Sequence, residues 1–154
     1  MSSAPVTRAR FDDDRTVLSD GVSTHVALRV AAINIATHLF LHDPPTPGEI
    51  EQAIDLVEDA LAATGLKQTA RGDLVIENPM FFEQLGLPDE IEKMTREQVE
   101  ERFQRLASIS LGRPRTHVDP PTKPMAAALL LILRECMHHL GYGALVSKGN
   151  DEVN

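Results

Sequence analysis

The chain has 154 residues, which fits one ordinary domain with a sizeable core, because domains most often run to about 100 to 150 residues and a chain this long buries roughly 70% of its unfolded surface. A hydrophobic share of 42% excludes a disordered or fibrous chain, and 23 acidic against 15 basic residues, net charge −8, argue against a general phosphate-gripping surface for nucleic acid. One cysteine excludes an internal disulfide and points to a reducing, cytoplasmic setting, while aromatics at 4% with no Trp weaken any reading as a stacking platform for bases.

The first eighteen residues mix Ser, Pro, Arg and the run Asp12-Asp13-Asp14 with isolated apolar residues. They lack the apolar stretch of a signal peptide, and Ser2 removes the start of a myristoylation motif. They read as a mobile or docked arm, 1–18, before a single helical domain, 19–146, and a frayed polar tail, 147–154. From Val22 to Leu41 neither Pro nor Gly interrupts a largely apolar stretch, which predicts a helix of about twenty residues. Arg29, Asn34, His25 and His38 lie inside it and make membrane insertion costly, so the expected place is a buried central helix. A helix apolar nearly all round must be covered on several sides, by its own fold or by a partner chain.

His42-Asp43-Pro44-Pro45-Thr46-Pro47 stops that helix, since proline lacks the N–H and disfavours helical geometry in the residue before it. Thr46 then looks like an N-cap, with Pro47 at the first helical position and Glu49 three residues after the cap. Ile50, Ile54, Val57, Ala60 and Leu61 follow at helical spacing, with an acidic outer face, until Gly65. Leu66–Thr69 and Asp73–Ile76 flank Ala70-Arg71-Gly72 and predict a small β-hairpin near 66–77. Met80, Phe81, Phe82 and Leu85 form an apolar knot. Thr95 with Gln98 makes a second capping box, and Val99, Phe103, Leu106 and Ile109 give the stripe of a helix ending near Gly112. Pro124 to Leu140 is the last helix, with nine apolar residues from Met125 to Leu133 and Gly141 at its close. The expected fold is mainly α, a compact bundle of about four main helices with the small hairpin.

Asp43-Pro44-Pro45-Thr46 recurs as Asp119-Pro120-Pro121-Thr122, each copy just before a helix. The flanks do not match further, so shared helix-entry chemistry outweighs duplication. His38 and His42 are four apart on the first predicted helix, and near the end of the last lie Glu135, His138 and His139. Imidazole and carboxylate at i, i+3 or i, i+4 can hold one ion, here zinc or iron. Packed parallel, the two helices would gather all five groups; packed antiparallel, they would not. Histidines near helix C-termini also have a plain role beside the terminal carbonyls, and that reading carries more weight. Cys136 reads as a small core hydrophobe. Arg102, Arg105, Arg113, Arg115 and Lys123 form the one basic concentration, where Arg113 and Arg115 could hold a phosphate or carboxylate. Pairing with the acidic second helix is the favoured alternative. No P-loop, dinucleotide fingerprint, nucleophile elbow, His-Glu-x-x-His or Cys-x-x-Cys occurs, which points away from an enzyme.

The expected function is that of a small soluble helical protein acting through protein contacts, as a homodimer or with another protein, with neither nucleic acid nor membrane as partner and no resident cofactor. Its apolar helices at 22–41 and 124–140 motivate this, because the remaining elements look too few to cover them. Two alternatives stand beside it. One is a metal enzyme or sensor with a divalent ion on the His/Glu groups, and the other a module for an anionic small molecule at Arg113 and Arg115.

Overall fold

The structure, a computed structural model, describes residues 7–19, 25–86 and 92–147. Three antiparallel strands open it: β1 (Thr7–Phe11), β2 (Thr16–Ser19) and β3 (His25–Leu28). A short helix α1 follows, beginning as Ala32–Asn34 and continuing as a π-helical segment Ile35–Leu39. Next come α2 (Pro47–Ala63), β4 (Arg71–Ile76), α3 (Pro79–Glu83), β5 (Lys93–Thr95), α4 (Arg96–Ser110), α5 (Pro124–Leu140) and β6 (Tyr142–Ser147). The strands form one sheet in the order β3-β2-β1-β4-β6-β5, with β4 parallel to both β1 and β6. This corrects the expected mainly α bundle: the fold is α/β, built on a six-stranded mixed sheet.

The register explains how the sheet acquires a core face. Successive side chains of a strand point to opposite faces, so cross-strand partners share one. Met94, Leu145 and Leu74 make one row, and Ile76, Ala9, Leu18 and Val26 the next. All of these belong to the core or pack against it. Val17 and Val75, one residue out of step, are buried as well, so the middle of the sheet is covered on both sides.

Against this face lies α5. Every residue from Ala126 to Leu133 is buried, and α1, α2, α4 and β6 supply the cover. The apolar circumference that suggested a partner chain is met by the protein's own elements. Among the described residues no helix is long and apolar enough to cross a membrane.

Several elements match the sequence expectations. Thr46 Oγ1 accepts from the Glu49 amide at 3.2 Å while the Thr46 amide donates to Glu49 Oε1 at 3.0 Å, a complete capping box, and Pro47 opens α2. The same reciprocal pair joins Thr95 and Gln98 at the start of α4. Gly141 ends α5 in the left-handed conformation, φ 94°. A side chain there would also run into the Thr69 carbonyl oxygen, so this position suits glycine on both counts.

Others differ. Of the helix expected over 22–41, residues 22–24 lie outside the described residues and the rest is a strand followed by a short helix. Val26, Leu28 and Val30 alternate with exposed Ala27 and Arg29, a period of two that marks a half-buried strand. The hairpin expected at 66–77 is a single strand, β4, whose partners β1 and β6 are remote in sequence. Of the segment read as an arm, residues 7–18 supply β1 and most of β2, and the boundary at 18 falls inside β2. Ser147 ends β6; residues 148–154 lie outside the described residues.

Candidate functional site

Parallel strands β1 and β4 end at the same edge of the sheet, and ligands of open α/β sheets settle in the crevice beyond such strand ends. A cavity of about 430 Å³ is found there, lined by Arg10, Phe11, Glu77, Asn78, Pro79 and Phe81. Arg10 and Phe11 are the last residues of β1, while the Glu77 amide donates to Ala9 O at 3.1 Å and prolongs the ladder past β4. Asn78 Oδ1 accepts from the Met80 amide at 3.0 Å and starts α3. Phe81 meets Phe11 edge to face, 5.2 Å between ring centres.

Charge at this edge is mostly negative. The Arg10 guanidinium donates through Nε and Nη2 to Asp12 at 2.9 and 3.1 Å, and Arg15 also approaches Asp12. The Arg10 hydrogen bond holds the Asp12 carboxyl below its ordinary value, and Asp12, with Glu77 nearby, raises Arg10. Exposed Asp13 and Asp14 complete the turn. This turn contains no glycine, and α3 opens with a proline that has no N–H. With the Met80 and Phe81 amides already taken by Asn78, an anion entering the crevice on the α3 side would meet side chains rather than backbone amides.

The basic concentration of 102–123 folds onto itself. Arg113 donates through Nη2 to Asp119 Oδ1 at 2.7 Å and through Nη1 to Oδ2 at 3.2 Å, and Arg105 adds a bond to Oδ1 at 3.3 Å. Arg113 Nε is taken by Ser108 Oγ at 2.8 Å. Arg102 donates to the Leu85 carbonyl, and Arg115 and Lys123 are exposed. Arg113 is thus engaged within its own loop, and Arg105 and Arg113 share Asp119 as a partner rather than the acids of α2.

The histidines of the two predicted helices sit at different ends of the molecule. His42 Nδ1 lies 2.7 Å from Glu49 Oε2, and the neighbouring Asp43 accepts from Thr122 Oγ1, just before α5. Glu135 comes eleven residues after Pro124, about 16 Å along the helix at 1.5 Å per residue. His38 is exposed on the π-helical segment, and His138 is exposed on α5. The five-ligand cluster is not formed. Glu135 and His139 do come together, and Glu58 of α2 joins them, a residue the sequence placed only among the acids of an outer face. The three could hold a metal ion: their donor atoms all lie within 4.8 Å of one another. Burial raises the Glu135 carboxyl above its ordinary value.

No family model and no curated protein sequence matches this chain. Solved structures do. The Aquifex aeolicus Ppx/GppA phosphatase, in its type II variant, superposes with a TM-score of 0.67 at 14% identity, covering 95% of this chain and 53% of that one. An exopolyphosphatase from Cytophaga hutchinsonii gives a TM-score of 0.62 at 9% identity, covering 96% of this chain and 54% of that one. The fold is thus that found in Ppx/GppA-type phosphatases, and the chain spans about half the length of these structures. This corrects the expectation of a helical protein acting through protein contacts: that role rested on uncovered helix surface, which the sheet and helices bury. The metal enzyme or sensor with ligands at two helix ends falls with the unformed cluster, and the anion module falls with the engagement of Arg113 by Asp119.

Proposed function

We propose that this protein is a phosphatase-type domain acting on a phosphate anhydride or ester, with the crevice at the C-terminal ends of β1 and β4 as its substrate-facing edge. The observation that carries this reading is the likeness, over 95% of the chain, to a Ppx/GppA phosphatase. The crevice stands where parallel strands present ligands, and it brings one guanidinium, one carboxylate and one amide side chain around an aromatic floor.

Asp12, Asp13, Asp14 and Glu77 outnumber the cations at this edge, so a bare polyphosphate would be repelled. Its magnesium complex would not be, because Mg²⁺ accepts carboxylate oxygens beside phosphate oxygens. The magnesium-loaded anion is therefore the substrate form this edge fits. Arg10 would meet the charge of the transferred phosphoryl group, and Glu77 would take the proton of the attacking water. Cys136 takes no part in this chemistry: it is free and buried, with burial pushing its thiol up to about 12, so it stays inert.

Phosphate release from linear polyphosphate and from a nucleoside triphosphate, first with excess magnesium and then with EDTA, tests the proposal. Magnesium-dependent release is expected, lowered about 100-fold by Arg10→Ala and by Glu77→Gln. Absence of release from both substrates, together with absence of binding of magnesium polyphosphate in equilibrium dialysis, overturns it.

A further inference from the structure

We infer that Glu58, Glu135 and His139 form a divalent metal site that staples α2 to α5 at the edge of the sheet opposite the crevice. Glu135 and His139 are one turn apart on α5, and Glu58 faces them from α2. His139 Nε2 lies 3.2 Å from Glu58 Oε2 and 3.2 Å from Glu135 Oε1. Ligand bonds of about 2.0 Å in a tetrahedral site put donor atoms about 3.3 Å apart, close to both separations.

A proton accounts for less of this geometry than an ion does. One Nε2–H can serve one carboxylate, and Glu58 is the one placed to accept it. Glu135 Oε1 is then left without a hydrogen-bond partner, although the side chain is fully buried. Arg134 Nη1 takes the other oxygen, Oε2, at 2.5 Å and so fixes the carboxylate with Oε1 turned toward His139 and Glu58. A cation among the three would satisfy this orphaned oxygen, serve both carboxylates at once and remove their mutual repulsion. Two oxygens and one imidazole nitrogen suit zinc, with water as the fourth ligand. A cavity of about 210 Å³ beside Glu58 and His139 gives the ion and its water a way in.

The test uses the full chain, stripped with chelator and titrated with Zn²⁺ alone by calorimetry and thermal melting. One zinc per chain is expected, with a rise in Tm of roughly 5 to 10 °C once zinc exceeds its Kd about 100-fold. Glu58→Gln and His139→Ala change half-exposed side chains and should keep the fold while weakening binding at least tenfold. His138→Ala, the exposed neighbour, should bind as the parent does. Glu135→Gln, of the same size, should lose the site as well, and the two half-exposed variants keep the test readable if it misfolds. No binding tighter than about 100 µM, binding unchanged in Glu58→Gln and His139→Ala, or binding lost in His138→Ala each overturns the site. None of these outcomes touches the phosphatase reading, which rests on the opposite edge.

Discussion

Asp119 is buried yet charged, and its surroundings explain how. Two hydrogen bonds from Arg113, the Thr116 amide at 2.7 Å, the Thr116 hydroxyl and Arg105 all point at its carboxylate. The Arg113 hydrogen bonds do most to hold the carboxyl well below its ordinary value of 3.8. With a pKa lower in the folded than in the unfolded state, the stability this carboxylate contributes is fully present above 3.8 and is lost as pH falls toward the folded value. We therefore expect Asp119→Asn to lower the urea midpoint at neutral pH and to flatten its decline between about pH 4 and pH 2, relative to the parent. Urea titrations across that range measure both effects, and an acid limb as steep as the parent's would exclude the mechanism. Arg113 stood out in the sequence as a possible anion contact, and an anion does occupy it. That anion is a carboxylate six residues away, reached because the loop after α4 turns back on itself.

At the level of elements, the capped starts of α2 and α4 were legible, whereas of the strands only the 73–76 part of β4 was read as one. A cap is a local event: Thr46, Pro47 and Glu49, or Thr95 and Gln98, satisfy amides within the same turn, so residue order is enough to announce them. Thr46→Ala should cost about 1 kcal/mol in urea unfolding, since it leaves the Glu49 amide without its acceptor, and a loss under about 0.3 kcal/mol would mean that water replaces the cap. Strands carry weaker local signals. β1 reads Thr-Arg-Ala-Arg-Phe, with Ala9 as its one fully buried residue, and nothing in that composition marks a strand at the centre of a sheet. The two Asp-Pro-Pro-Thr copies carry a further lesson. They look like a duplication or shared helix-entry chemistry, yet in the structure Asp43 of the first bonds Thr122 of the second, so the two loops lie against one another. Ser110 Oγ donates to Pro45 O beside them at 2.6 Å and ties the end of α4 to the same junction.

In the molecule as a whole the sheet order sets which parts open together. β4 sits between β1 and β6, and its Leu74, Val75 and Ile76 are all buried, whereas β3 and β5 are the edges. Native-state hydrogen exchange should therefore find the amides of Leu74, Val75 and Ile76 among the slowest, and those of β3 and β5 the fastest among the strands. Equal protection in β3 and β4 would contradict the order. The same topology separates the two sites. The crevice lies at the C-terminal ends of β1 and β4, while α5 delivers Glu135 and His139 to the other edge, next to the start of β6.

Composition and local pattern determined the buried character of α5, the two capping boxes and the glycine that ends α5, because each depends on neighbours within one helical turn or on the bulk apolar content. Tertiary structure alone decided that Thr7–Phe11 and Thr16–Ser19 are strands, that 71–76 is a central parallel strand and that Glu58 meets Glu135 and His139. Parallel pairing joins residues sixty or more positions apart, such as Thr7 with Leu74 and Arg71 with Tyr142. Hydrogen bonds between such strands are made by the backbone, which is the same whatever the side chains, so neither the partners of a strand nor the groups gathered at its ends are written in the local order of residues.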